Sequence, residues 1–370
     1  MKFTVSSTEL QKALSKTSGV VPSKSTLPIL ENLLLELEGD ELKITATDLE
    51  LSLSVTTKVK GIEDGKIAVP ARRVVETVRA LPETQVTLTA DPSNKVTIVT
   101  ETGEYRLTGE SSEEFPSVPQ IKGDEQITLP AEILRRMISK TVFAVSTDEL
   151  RPAMMGVLFQ MKKDELCAVS TDGHRLVKLS QRKSPLKNGE KDIVIPGKAL
   201  SIIAKSSDES AFTVFLNDSH VMFRFGNTTL ISRLIEEKYP NYESVIPKDN
   251  DKRMVINRND MLASVRRVSL YSSLTTHQVR LSLKKNELKL SAEDIDFGGE
   301  AREVMMCQYD YEPLEIGFNA AYLVDVLSHI DTDEALFLFS ESTRAALVQP
   351  GSQREQEEFL MLVMPVRLNP

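Results

Sequence analysis

Three stretches of the chain alternate apolar and polar residues and then turn back. They are Leu33/Leu35/Leu37 ahead of Gly39-Asp40, Val157/Phe159/Met161 ahead of Lys162-Lys163-Asp164, and Val279/Leu281/Leu283 ahead of Lys284-Lys285-Asn286. A period of two ended by turn residues predicts a β-hairpin. Behind each turn one motif returns without gaps: ELKITATDL at 41–49, ELCAVSTDG at 165–173 and ELKLSAEDI at 287–295, at spacings of 124 and 122 residues. Glu114-Phe115-Pro116 and Lys238-Tyr239-Pro240 also lie 124 residues apart. Each opens a stretch rich in Pro and charge without periodicity, which reads as a linker. The chain thus divides into domains at 1–121, 122–249 and 250–370.

A finer period runs beneath. Ser6, Pro70, Pro130, Pro196, Asn257 and Asn319 each precede a short run with apolar residues three and four apart, such as Ile133/Leu134/Met137/Ile138 and Met261/Leu262/Val265/Val268. Ser and Asn cap helices and Pro is tolerated at their start, so each run predicts a helix. The expected fold class is α+β: three similar domains, each with two helices backed by antiparallel β-sheet.

Composition narrows the function. With 370 residues, 41% hydrophobic and 27% charged, the chain has apolar material for several cores, which excludes a disordered polymer. Met1-Lys2-Phe3-Thr4-Val5 runs straight into Ser6-Ser7-Thr8-Glu9, so a soluble, cytoplasmic protein is expected. Cys167 and Cys307 sit in separate apolar runs without metal-ligand spacing and read as buried free thiols. The net charge is −9, yet the six helical windows together carry +7, leaving −16 elsewhere. Helices that shared one side would make it basic and suited to sequence-independent contact with duplex phosphates; Lys and Arg on ordinary solvent-facing helix positions explain the count equally well. The absence of Trp and an aromatic content of 5% speak against a base-stacking platform for single strands.

Chemical motifs are sparse. Gly197-Lys198 lacks the upstream glycine of a phosphate loop, since Asp192 holds that place, and no nucleophile elbow or HExxH is present. Asp294-Ile295-Asp296 with Gly298-Gly299 lacks the remaining ligands of a calcium loop. His174, His220, His277 and His329 are scattered, and no cofactor or metal is expected. Ser170, Asp172 and His174 could compose a hydrolytic site. Asp48 and Asp294 hold the place of Asp172 in the other repeats without a histidine, which favours a turn role. A hydrolase and an acidic peptide-recruiting adaptor remain the competing readings.

With these features in view, the whole chain resembles the bacterial β sliding clamps, the β subunits of the replicative DNA polymerase III holoenzyme. The resemblance rests on Met1-Lys2-Phe3-Thr4-Val5, Thr26-Leu27-Pro28-Ile29-Leu30, Thr47-Asp48-Leu49-Glu50, Val69-Pro70-Ala71-Arg72, Thr171-Asp172-Gly173-His174-Arg175-Leu176, Ile316-Gly317-Phe318-Asn319 and Val363-Met364-Pro365-Val366-Arg367-Leu368. It implies a non-catalytic processivity factor that closes into a ring around duplex DNA as a head-to-tail homodimer and is opened by a separate loader. It implies a dimer interface joining Tyr105 and Leu107 to Leu270 and Tyr271. It further implies a pocket for short peptides of the polymerase and other partners, formed by Arg151, Met154, Thr171, Gly173, His174, Arg175, Leu176, Pro240, Val245, Asn319, Tyr322, Val363, Met364, Pro365 and Arg367. Ser244 stands where the family often has a basic residue and Thr276 where an aromatic is common, which leaves the preferred peptide open. Charge and helix placement nominate Lys24, Arg72, Arg73, Arg135, Arg136, Lys198, Arg266 and Arg267 as DNA contacts. Lys24 lies in a loop that touches DNA in relatives, whereas Asp148, Pro152 and Ala153 depart from the family in a second such loop. Asn369-Pro370 extend past the family's usual final Leu.

Overall fold

A computed structural model describes residues 1–121, 125–182, 190–206 and 210–368. The Asn369-Pro370 extension and the start of the expected second domain, at 122, lie outside them. The helices begin where the sequence places them: α1 (Ser7–Thr17), α2 (Ala71–Ala80), α3 (Ala131–Thr141), α4 (Gly197–Ala204), α5 (Arg258–Ser269) and α6 (Ala320–Ser328). The cause is local. Ser6 accepts from the Glu9 amide at 3.2 Å, Asn257 from the Asp260 amide at 3.0 Å and Asn319 from the Ala321 amide at 2.9 Å, satisfying donors that the first helical turn leaves unpaired. The other three follow a proline that ends a strand and cannot donate to it. No helix among the described residues is long and apolar enough to cross a membrane.

Every strand ladder is antiparallel, and the structure forms two compact units: Met1–Ile133 with Ile202–Leu234, and Leu134–Ser201 with Ile235–Pro370. In the first unit, a five-stranded sheet runs Lys60–Glu63, Lys2–Ser6, Gln85–Ala90, Lys95–Val99, Glu104–Thr108. An eight-stranded sheet runs Glu125–Pro130, Ala211–Leu216, His220–Phe225, Thr228–Arg233, Leu51–Lys58, Glu41–Thr47, Asn32–Glu38, Gly65–Pro70. Leu10, Ala13 and Leu14 of α1 and Val74, Val75 and Val78 of α2 are buried, and the two helices pack on each other.

The second unit repeats the plan. Its eight-stranded sheet runs Lys191–Pro196, Gly156–Met161, Leu166–Thr171, Arg175–Gln181, Glu357–Val363, Ala346–Pro350, Glu334–Phe339, Lys252–Asn257. A four-stranded sheet runs Gly299–Met306, Glu287–Asp294, Gln278–Lys284, Leu314–Asn319, with α5 against it and against α6. The three repeated motifs occupy the same place, the second strand of a hairpin, at Glu41–Thr47, Leu166–Thr171 and Glu287–Asp294.

Two features differ from the sequence reading or extend it. The stretch after Lys238, read as a linker, is built into the second unit's core: Tyr239 and Tyr242 are buried, and the Tyr242 hydroxyl donates to Gln160 Oε1 at 2.6 Å. Two large rings with bonded hydroxyls anchor backbone that periodicity alone could not place. Both cysteines are buried free thiols, and burial pushes the Cys307 thiol up to about 11.

Candidate functional site

The turn 171–175 is held by its own side chains. Asp172 Oδ1 accepts from the amides of His174 and Arg175, both at 2.9 Å, while Thr171 Oγ1 accepts from the Gly173 amide at 3.1 Å and donates to the Arg175 carbonyl at 2.7 Å. Gly173 has φ +90°, a conformation that disfavours a side chain. Asp48 accepts from Glu50 and Leu51 amides, and Asp294 from Asp296 and Phe297 amides, in the same geometry. The repeated aspartate is therefore a turn former in all three copies. The hydrolytic reading fails on the same facts, because Asp172 is committed to backbone and Arg175. Ser170, fully buried, donates to the Thr141 carbonyl at 2.6 Å.

Arg175 lies beneath this turn. Its Nε meets Asp172 at 3.0 Å, one terminal nitrogen meets Asp325, and the other donates to the Phe143 carbonyl at 2.8 Å. Its guanidinium lies 5.4 Å from the Phe143 ring and 4.9 Å from the Tyr322 ring. The charge is thus neutralised within the second unit, and its flanking rings stack on His174 and on His329. Burial pushes the His329 imidazole below its usual range.

Beside the turn opens an apolar cavity of about 490 Å³. Of the nominated pocket residues, Met154, Thr171, Gly173, His174, Arg175, Leu176, Pro240, Val245 and Met364 line it. The others do not. Arg151 pairs with Asp148 at 2.7 Å, Asn319 caps α6, Tyr322 lies under Arg175, and Pro365 and Arg367 follow the last strand. Val363 corrects the expectation: wholly buried in its strand, it pairs with Arg175 and Ala346 and supports the wall from inside. The structure adds Asn241, Tyr242, Ser244, Ile246, Pro247, Asp249, Thr343, Arg344, Ala345 and Leu362. Tyr242 carried a signal as an aromatic in an aperiodic stretch, whereas the 343–345 turn carried none. A concave, mostly apolar site with a few polar groups at its mouth suits a short ligand with apolar side chains.

The nominated cations separate into different environments. Lys24, Arg72 and Arg73 in the first unit are exposed, with Arg72 bonded to Glu76 at 3.0 Å. In the second unit Lys198 and Arg266 are exposed, and Arg135 is half-buried. Arg267 is exposed but forms a fork with Glu303 at 2.7 and 2.6 Å. Arg136 is a correction: its side chain is only 17% exposed and grips Glu357 at 2.5 and 2.6 Å and Asp331 at 2.7 Å. Lys140 joins the network through Asp331 and the His329 carbonyl, both at 2.5 Å. Two carboxylates hold the Arg136 charge, so it is a strut and not a free contact for phosphate. Of the nominated apolar edge residues, Tyr105, Leu270 and Tyr271 are exposed and Leu107 half-buried. Among the described residues no group of acidic, Cys or His side chains is placed to hold a metal.

Arg136→Ala should lower stability by about 3 kcal/mol in chemical denaturation, because the Glu357 carboxylate, 4% exposed, is left without its counterion, whereas exposed Arg73→Ala should change it by less than about 0.5 kcal/mol. Burial alone would raise the Asp331 carboxyl, but the bonds from Lys140 and Arg136 outweigh it and hold the group at about 2 against an ordinary 3.8. The stabilisation is therefore present above pH 3.8 and lost as pH falls towards 2. In Asp331→Asn, unfolding midpoints measured over that range should fall less steeply than in the unsubstituted protein.

Models of the DNA polymerase III beta subunit match the chain in three parts: the N-terminal domain at residues 1–119, the central domain at 128–241 and the C-terminal domain at 243–367. The beta sliding clamp of Chlamydia muridarum is 31% identical over 370 residues, covering all of both chains. Among solved structures, the sliding clamp of Bartonella birtlesii bound to griselimycin is similar at a TM-score of 0.95 and 31% identity, and that of Pseudomonas aeruginosa at 0.92 and 31%. Each pair is covered in full. On this full-length agreement of sequence and fold, the chain belongs to the DNA polymerase III beta subunit family, the beta sliding clamps.

Proposed function

We propose that two copies of this chain close head to tail into a ring around duplex DNA, while the apolar cavity holds short peptides of the replicative polymerase, the clamp loader and other partners. As a beta sliding clamp the chain is a non-catalytic processivity factor of DNA polymerase III. The observation that carries the ring is a strand left over at each of two sheet ends. In the first unit, the third strand of the first hairpin group, Leu51–Lys58, pairs with Thr228–Arg233, the last strand of the second repeat. In the second unit, Arg175–Gln181 pairs in the same way with Glu357–Val363. The equivalent third strand of the last repeat, Gly299–Met306, and the last strand of the first, Glu104–Thr108, are both open edges. Pairing them between two copies completes the series, and a head-to-tail contact of this kind closes when the rotation per subunit allows.

The exposed apolar groups fit that edge. Tyr105 and Leu107 belong to one open strand; Leu270, Tyr271, Val304 and Met306 lie on or beside the other, with Leu270 81% and Met306 77% exposed. In this reading the domains are 1–121, 122–249 and 250–370. Lys24, Arg72, Arg73, Arg135, Lys198 and Arg266 make weak phosphate contacts that salt screens, and Arg267 contributes less because Glu303 holds it. Enclosure, not grip, keeps the protein on DNA while allowing it to slide. In the cavity, Leu176, Pro240, Val245 and Leu362 take the peptide's apolar side chains. The Bartonella birtlesii relative's binding of griselimycin supports a ligand site on this fold. In this reading the protein acts on replicating DNA in the bacterial cytoplasm.

Clamp loaded on nicked circular DNA should stay bound through gel filtration and be released when the circle is cut open; retention on the linear product would overturn enclosure. Leu270→Asp should shift the sedimenting species from dimer to monomer, since it sets a charge in the apolar contact, and an unchanged dimer would place the interface elsewhere.

A further inference from the structure

Three of the residues lining the cavity carry full charges: Arg175, Asp249 and Arg344. Arg175 is spent on Asp172, Asp325 and the Phe143 carbonyl. Arg344 is different. Among the described residues its only side-chain partner is Asp249, reached through one terminal nitrogen, and the two side chains are 48% and 64% exposed. A guanidinium has five donors in a planar fork. A single exposed ion pair therefore leaves most of Arg344's bonding capacity unused and holds it weakly.

The backbone around the pair is fixed. Asn250, next to Asp249, donates through its side-chain Nδ2 to the carbonyls of Leu338 and Ala345, both at 2.9 Å. Lys252 reaches the Ser340 carbonyl at 3.0 Å, and the Arg344 amide closes its own turn on the Glu341 carbonyl at 3.1 Å. The strand Lys252–Asn257 then pairs along Glu334–Phe339. The backbone that carries the cation is thus fixed on the wall of the cavity that Val245, Ile246 and Ala345 also line. With its side chain 48% exposed, the guanidinium is screened by solvent, so a charge contact made there adds a modest preference to the apolar contacts.

Resting on the reading of this cavity as a peptide pocket, we propose that Arg344 makes it select ligands that carry a carboxylate beside their apolar anchors. The carboxylate is either an acidic side chain or a free chain terminus, and it takes the open side of the guanidinium while the anchors fill the cavity. Asp249 acts against this as an internal competitor, occupying the cation until the ligand arrives. Ser244, on the same cavity, offers no charge of its own, so the selection rests on Arg344.

The test uses the full-length protein and three fluorescein-labelled peptides that share one core of large apolar residues. One is neutral with an amidated end, one is amidated with an Asp beside the core, and one is neutral with a free terminal carboxylate. In fluorescence anisotropy at low salt, at least one carboxylate peptide should bind about three- to tenfold more tightly than the neutral one, and which does so identifies the source. Arg344→Gln should abolish that advantage and leave the neutral peptide within about twofold, and Asp249→Asn should enlarge it. A carboxylate preference that survives Arg344→Gln, or an equal loss for all three peptides in that variant, would overturn the inference. Failure of every peptide to bind the unsubstituted protein would overturn the pocket itself and the inference with it.

Discussion

Backbone pairing between repeats is the constraint on which the rest depends. Each repeat presents a strand whose hydrogen-bonding edge it cannot satisfy itself, and twice within the chain a later repeat supplies the missing partner: Thr228–Arg233 for Leu51–Lys58, and Glu357–Val363 for Arg175–Gln181. An unpaired edge is an invitation to association, and proteins rarely leave a long one bare. This is why three sequence repeats yield two compact units: the eight-stranded sheets draw strands from neighbouring repeats. The same exchange makes folding non-local, since Leu51–Lys58 waits for a strand made much later in synthesis.

The cavity inherits its walls from that pairing. Leu176 and Leu362 are cross-strand partners at the junction of Arg175–Gln181 with Glu357–Val363, so the floor of the site is a product of the exchange. Above it, Arg175 ties the 171–175 turn to Asp325 of α6 and to the Phe143 carbonyl, while Arg136 and Lys140 of α3 reach Asp331 and Glu357. Charges at these places serve geometry. They hold strands and helices of the second unit in register around an apolar space whose shape a ligand must match.

What could be read from the sequence was what local chemistry decides. Helix starts were legible because a cap or a proline acts within three residues, and the aspartate turn because three copies could be compared. Arg136 and Arg73 could not be told apart, since both are arginines on short amphipathic helices. What separates them is a pair of carboxylates 195 and 221 residues away. Val363 comes from the resemblance and not from periodicity, and in a strand buried on both faces alternation could not have shown that its side chain lies away from the cavity. Arg344 and Asp249 sit outside helices and strands, where no period exists to read.

The segment carrying Tyr239 and Tyr242 has the composition of a connector, and connectors are where chains ordinarily tolerate gain or loss of residues. Here both rings are locked into the core, and Pro240 and Tyr242 also line the cavity. A one-residue insertion between the two tyrosines would pull a ring out of its socket. The length of this stretch is therefore set by the core it anchors, whatever its composition suggests.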